Sequence, residues 1–150
     1  MDERIGNFRF EPDEVLGQNE GRFPAKKMKY RLGAVFVRGD YLLTAMTRFD
    51  ENNRAVLTMP QYLEFLVRFW DGVNKMYTQR NVAAPIFGSG ITRIKGHKTI
   101  SHEDLLKIML WTFRIIETRF KYPAKLSIVI HTDKIDQINL LDMKLLNDGV

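Results

Sequence analysis

Three small residues, Gly88-Ser89-Gly90, follow directly on a short apolar run and are the strongest candidates for chemistry in this chain. The run at residues 82–87 predicts a buried strand, and the next strong pattern is a helix that begins near Ser101. Small residues leave the backbone N–H groups of such a loop uncovered. At the carboxyl edge of a parallel sheet, uncovered N–H groups form a favourable cradle for a phosphate or diphosphate. A single Gly-x-Gly pattern is a weak signal by itself, however, and more often marks a simple turn.

Two arginines and a histidine lie where they would meet this loop in a parallel sheet. Arg93 follows the loop and could balance the negative charge of a diphosphate. His131 stands just past a predicted strand at residues 125–130, and Arg48 follows another predicted strand. Ligands of parallel sheets bind beyond the carboxyl ends of the strands, so these segments are expected to converge there. Each residue also has a plainer interpretation: a surface arginine, an exposed histidine at a strand end, and an arginine that holds its own loop together.

The sequence offers little support for catalysis or for a metal site. A chain without cysteine has no disulfide, no thiolate ligand and no cysteine nucleophile. The three histidines lack the paired spacing of metal ligands. Neither a Gly-x-Ser-x-Gly nucleophile elbow nor a Walker-type phosphate loop is present. We therefore expect no metal, no cofactor, and a module that binds its ligand without turning it over.

Length and composition describe an ordinary globular protein of one domain, or part of one. The 150 residues are 45% hydrophobic and 27% charged, and no window of 18 consecutive apolar residues predicts a membrane span. Acidic residues near Met1, without a hydrophobic stretch, argue against a secretory signal, so a cytoplasmic location is expected. The net charge is +5, with basic clusters at residues 26–31 and 93–98. If both clusters lie on one face, the alternative function is a basic nucleic-acid-binding domain.

Hydrophobic periodicity predicts alternating strands and helices. Gln61 lies three residues after Thr58, which is a capping box at the start of the first main helix. The apolar residues of this helix form one stripe: Tyr62, Leu66, Phe69, Trp70, Val73 and Tyr77. The second helix begins at Ser101, is apolar on most faces and is expected to lie deep in the domain. The remaining predicted elements are a hairpin of residues 33–37 and 41–46, strands at 82–87 and 125–130, and a closing helix or turn at 135–143.

The order of these elements predicts an α/β fold. Strands separated by helices of crossover length form a largely parallel sheet with helices on both faces. The first thirty residues show weaker secondary-structure patterns. Residues 7–10 favour a short strand, residues 12–16 a helical turn and residues 17–24 a polar loop. We therefore divide the chain into a poorly committed segment, 1–29, and a domain, 30–150.

Four stretches of this domain resemble the macro domain, especially the divergent macro-like domain of Thoeris-type bacterial anti-phage effectors. They are residues 30–35, residues 42–53, residues 84–93, and residues 127–130 followed by 138–140. Their consistent order is far more specific than the glycine loop alone. The resemblance implies a three-layer α/β/α domain with a mixed, largely parallel sheet. It also implies recognition of ADP-ribose or a related NAD-derived nucleotide, as an accessory or effector module in bacterial defence.

The resemblance assigns roles to the candidate residues. Backbone amides of the loop would line the diphosphate and the distal ribose, Arg93 would supply charge, and His131 occupies the region where macro domains often place an adenine-stacking group. The ligand-binding set is then Gly88, Ser89, Gly90, Ile91, Thr92, Arg93, His131 and Arg48. ADP-ribosyl hydrolysis is the enzymatic alternative that the family implies, although no catalytic loop residues are visible.

One departure from the family pattern bears on the architecture. The usual opening strand and its ligand loop have no counterpart before Tyr30. The chain is then a partial domain, or residues 1–29 rebuild that half of the site in another way. A partial domain would leave one sheet edge uncovered, which favours self-association through unpaired strand backbone.

Overall fold

The computed structural model describes residues 11–21, 27–96, 100–116 and 124–147. Its helices, in chain order, are α1 Met59–Met76, α2 His102–Ile116, α3 Thr132–Ile135 and α4 Leu140–Asn147, with a 3-10 turn at Pro12–Glu14. Its strands are β1 Val15–Gln18, β2 Met28–Tyr30, β3 Val35–Arg38, β4 Tyr41–Thr44, β5 Arg48–Phe49, β6 Ala55–Thr58, β7 Val82–Pro85, β8 Arg93–Lys95 and β9 Leu126–Val129.

The strands form a mixed set of sheets, and the expected α/β architecture is confirmed. Within the described ranges, β6 pairs with β8 and β7 pairs with β9 in parallel. The pairs β1–β2, β3–β4 and β5–β6 are antiparallel. Each parallel pair has a long helix between its strands in the chain, α1 between β6 and β8 and α2 between β7 and β9, whereas the short connections between residues 35 and 58 can only return the chain antiparallel. Strands β2, β5, β6 and β8 were not predicted.

Helix α1 organises the core, as its sequence pattern predicts. Thr58 Oγ1 accepts from the N–H of Gln61 at 3.3 Å, and Gln61 Oε1 accepts from the N–H of Thr58 at 2.9 Å, which completes the capping box. The whole predicted apolar stripe is buried. Phe65 joins it, fully buried, so the buried face is wider than the predicted stripe.

Helix α2 packs on α1 but is less enclosed than predicted. The indole Nε1 of Trp70 donates to Thr112 Oγ1 at 3.1 Å, a buried bond between the two helices. Trp111 and Ile115, in contrast, are 60% and 58% exposed. The prediction of a deeply placed helix was wrong, because among the described elements α1 and α4 are the main neighbours of α2. One face of the helix is therefore buried and the opposite face is open.

The predicted hairpin is confirmed, and the amino-terminal segment is corrected. β3 and β4 pair across a two-residue turn. Val15 and Leu16, predicted as part of a helical turn, lie in β1, and so do Gly17 and Gln18, which were predicted as loop. β1 is held by pairing with β2, across a connection that local sequence patterns do not reveal. The strand predicted at residues 7–10 lies outside the described residues, and the domain division at residue 30 stays a prediction.

Candidate functional site

Phe87, which we call the root of the glycine loop, is held between the two main helices. The hydroxyl of Tyr62, on α1, donates to the carbonyl oxygen of Phe87 at 2.8 Å. The N–H of Phe87 donates to Met109 Sδ, on α2, at 3.3 Å. The Phe87 ring also packs edge-on against the rings of Phe65 and Phe69, with centroids 5.1 and 4.8 Å apart. Burial raises the pKa of Tyr62, so its hydroxyl stays protonated and keeps donating to the loop.

The tip of the loop is exposed and offers backbone donors. Gly88 has φ +86°, a conformation that favours glycine, and it turns the chain outward from the root. Ser89 Oγ donates back to the carbonyl oxygen of Ile86 at 2.7 Å, which ties down the first turn. Gly90 is exposed and Ile91 is 88% exposed. Among the described residues, the N–H groups of Gly88, Gly90 and Ile91 have no protein acceptor, so these three donors are available to a ligand.

Arg93 begins strand β8, and Arg48 lies on β5, which is in the same sheet. Arg93 is exposed and pairs with Val56 of β6, and β6 in turn pairs with β5. Thr92, between Ile91 and Arg93, is half-buried. The structure therefore places the strands of Arg93 and Arg48 in one sheet, as neighbours of the same strand β6.

The carboxylate of Asp50 lies between positive groups at this sheet. Asp50 Oδ1 accepts from the N–H groups of Asn52 and Arg54, each at 2.9 Å. The backbone hydrogen bond from Arg54 is the main cause that lowers the pKa of Asp50, and the charges of Arg54 and Lys95 act in the same direction. Asp50 is therefore an anion that neutralises part of the basic cluster, and it fixes the turn before β6.

Arg48 makes a structural contact. Its Nη1 donates to the carbonyl oxygen of Tyr30 at 2.8 Å, which ties β5 to the end of β2. This contact agrees with the plainer interpretation of Arg48, a residue that holds its own region together. A role of Arg48 in ligand binding stays a prediction.

His131 lies at the same sheet edge as the loop. β7 and β9 are parallel, with Pro85 paired to Val129, so the residues that follow each strand emerge at one edge. His131 caps α3: its Nδ1 accepts from the N–H of Asp133 at 3.3 Å, and Asp133 Oδ2 lies 3.4 Å from the same nitrogen. The ring is 73% exposed and is therefore accessible to a ligand held at this edge.

Sequence reasoning did not identify the groups that position the loop. Tyr62 was predicted as one member of an apolar stripe, and Met109 as part of an apolar helix. The hydroxyl on a helical aromatic is the only local signal, because a buried tyrosine needs a polar partner. In the described part of the chain, no group of three histidine or acidic residues could hold a metal ion. The described helices include none long and apolar enough to span a membrane.

Comparison with known proteins places the chain in a family. The family model described as the macro domain of Thoeris protein ThsA matches residues 1–131. This chain is a member of the ThsA macro-domain family. The match takes in the glycine loop and extends to His131, and its start precedes the strands β1 and β2.

A curated relative agrees with this ThsA macro-domain assignment. The Thoeris protein ThsA of Bacillus amyloliquefaciens (strain Y2) is 36% identical over 125 residues, which is 83% of this chain. The aligned region is 42% of the relative's length. The chain therefore spans less than half of that protein, and the comparison concerns the macro domain and not the rest of the relative.

Proposed function

We propose that this ThsA-type macro domain binds ADP-ribose or a related NAD-derived nucleotide, as an accessory or effector module in bacterial defence against phage. The observation that supports the proposal is the exposed loop tip, with three unused N–H groups on a buried, doubly anchored root. A diphosphate needs donors that are already oriented. A rigid root supplies them without an ordering cost when the ligand binds.

In this proposal, the loop binds the charged middle of the nucleotide. Gly88, Gly90 and Ile91 donate to the diphosphate oxygens, and such charge-assisted bonds are shorter and stronger than neutral ones. The exposed Arg93 adds positive charge next to the loop. The exposed ring of His131 stacks against the base at the neighbouring strand end.

The same arrangement favours binding without catalysis. Two hydroxyl groups at the loop and its root are committed to backbone carbonyls: Ser89 Oγ donates to Ile86, and the Tyr62 hydroxyl, whose pKa is raised by burial, donates to Phe87. A nucleophile needs a neighbouring base and access to substrate. We therefore expect no product from NAD or from an ADP-ribosylated peptide when either is incubated with the protein and followed by mass spectrometry. Steady product formation that survives further purification would contradict this expectation.

Calorimetric titration with ADP-ribose, with NAD and AMP as comparison ligands, tests the binding. The informative variant is Gly90→Val, because a Cβ at this position would meet no atom of the described residues within 4 Å and the fold should persist. A branched side chain would block close approach of a diphosphate. Losing one charge-assisted contact costs roughly 1.5–3 kcal/mol, so affinity should fall by about 10-fold or more.

Gly21→Val is the matched control for this substitution. Among the described residues, a Cβ at Gly21 would meet only Asn19 Oδ1, at 3.7 Å, so we expect the same change to be tolerated in a segment remote in sequence from the loop. ADP-ribose affinity should be unchanged in this control. Equal affinities of both variants and the unsubstituted protein would remove the loop from the site. Salt-dependent binding of DNA or RNA, without any binding of ADP-ribose, would instead support the nucleic-acid alternative.

A further inference from the structure

Helix α2 carries an exposed apolar stripe on the face opposite to its buried side. Trp111 and Ile115 are 60% and 58% exposed, and the half-buried Ile108 lies one turn before Trp111. Spacings of three and four residues place these three side chains on one face of the helix. We call Ile108, Trp111 and Ile115 the Trp111 stripe. The buried residues of α2 occupy the opposite face: Leu105, Leu106, Met109 and Thr112.

Trp111 differs from the other tryptophan of the chain. Trp70 is 1% exposed and its indole donates to Thr112, whereas the larger part of Trp111 is open to solvent. A contiguous row of large apolar side chains on a surface marks an interaction site, and tryptophan is enriched at the centres of protein interfaces. Two helices pack along a seam of residues spaced by three and four, which is the spacing of the Trp111 stripe. The stripe therefore fits the apolar face of another helix.

The charges that border the stripe indicate which helix this is. Glu103 and Asp104 lie in the first turn of α2 and Arg114 lies in its last turn, so the helix begins acidic and ends basic. Asp104 and Arg114 are both exposed, whereas Lys107, between them, forms ion pairs with Glu103 and Asp142 of its own chain. A second α2 that runs in the opposite direction presents the same charges in reverse order. Each acidic first turn then faces a basic last turn, so α2 is electrostatically complementary to itself.

We infer that a second copy of this chain covers the Trp111 stripe, by antiparallel packing of the two α2 helices around a two-fold axis. Ile108 of each copy then lies against Trp111 of the other, and the contact between Asp104 and Arg114 occurs twice. This interface uses a helix face, whereas the self-association predicted from the sequence uses strand backbone. The inference is independent of the proposed nucleotide.

The size of this contact predicts a weak dimer. Helix α2 has 15 residues and is therefore about 22 Å long. One pair of helices of this length buries less than the roughly 1,600 Å² of a standard protein interface. The dimer should therefore form at high protein concentration and dissociate on dilution.

Sedimentation equilibrium of this chain, at about 1–500 µM, tests for the dimer. Trp111→Glu should weaken dimerisation by at least about 30-fold, because a central tryptophan contributes most of the binding energy of such an interface. Val67→Glu is the matched control, since Val67 is an apolar residue of α1 that is 42% exposed, and dimerisation should be unchanged. In the unsubstituted chain, tryptophan emission should shift to shorter wavelength as the concentration increases, because Trp111 leaves water while Trp70 is already buried.

An exchange of the bordering charges tests the antiparallel arrangement. Asp104→Arg and Arg114→Asp each bring like charges together at two places, so each should weaken the dimer by about 3-fold or more. The double variant restores opposite charges between the copies and should recover the affinity. Within one copy the two residues lie about 15 Å apart along α2, too far to pair with each other. The loss of the hydrogen bond from Ser101 to Asp104 affects the single and the double variant alike, so recovery reports the contact between copies.

Three results would overturn the inference. A monomer at every concentration would show that no second copy covers the stripe. A dimer that persists in Trp111→Glu, or that Val67→Glu weakens equally, would place the interface elsewhere, for example at a strand edge. A double charge variant as weak as the single variants would refute the antiparallel packing of α2.

Discussion

Gly33→Ala should be the most destabilising small substitution in the hairpin region, and its cost can be worked from the geometry. Gly33 has φ +79°, where an alanine costs roughly 1–2 kcal/mol. A Cβ at this position would lie 2.5 Å from Arg68 Cβ, 2.7 Å from the carbonyl oxygen of Phe65 and 2.9 Å from the N–H nitrogen of Phe69. Two of these atoms are helix backbone and cannot rotate away, so overpacking adds about 1–3 kcal/mol. The expected loss is about 2–5 kcal/mol of the free energy of unfolding.

Gly39→Ala separates the two contributions to this loss. Gly39 also has positive φ, at +56°, but in the described part of the chain a Cβ there would meet nothing within 4 Å. The conformational strain and the lower entropy of the unfolded chain act in both variants, so their difference reports the contact with α1. Urea unfolding, followed by tryptophan fluorescence, should show Gly33→Ala less stable than Gly39→Ala by about 1–3 kcal/mol. Equal stability of the two variants would refute the inference that the hairpin is packed directly on the helix backbone.

Two further predictions concern the root of the loop and the loss of stability at acidic pH. Tyr62→Phe leaves the Phe87 carbonyl without its donor, so the free energy of unfolding in denaturant should fall by about 1–3 kcal/mol. Calorimetry should also show weaker ADP-ribose binding, and an unchanged affinity would mean that this hydrogen bond does not position the loop. The hydrogen bond from Lys107 is the main cause that lowers the pKa of Glu103. The ionised Glu103 therefore stabilises the fold fully at pH values above its pKa in the unfolded chain, about 4.3, and this stabilisation is lost as the pH falls through the lower pKa of the folded state. Glu103→Gln should therefore flatten the fall of melting temperature below about pH 4; an identical acid profile in the variant would contradict this assignment.

Features set by neighbours in the chain could be predicted correctly. The capping box needs only Thr58 and Gln61, three residues apart, and the structure contains both of its hydrogen bonds. The hairpin follows from two apolar runs around a short turn. Strands β1, β2 and β8 are among those that escaped prediction, because they lack the continuous apolar runs of the hairpin strands and are defined by a pairing partner elsewhere in the chain.

The candidate site also contains residues that the sequence could identify and contacts that it could not. Gly88-Ser89-Gly90 could be identified from residue types alone, and the parallel arrangement of β7 and β9 puts His131 at the edge where the sequence predicts it. The sequence could not show whether Arg48 faces a ligand or a neighbouring strand, since both uses need the same side chain. Its bond to the Tyr30 carbonyl depends on where β2 and β5 meet.

By itself, the sequence determined the two main helices, the hairpin, the glycine loop and the resemblance to a macro domain, because these depend on residue types at short, fixed spacing. The closing helix, predicted at residues 135–143, instead forms two separate helices, α3 and α4. Only the tertiary structure decided which groups hold the loop and which strands pair. The Tyr62 hydroxyl reaches Phe87 across 25 positions of sequence. The parallel pair of β7 and β9 joins segments that lie on either side of α2 in the chain. Such facts follow from how distant segments pack, and packing satisfies backbone groups in ways that local patterns do not encode.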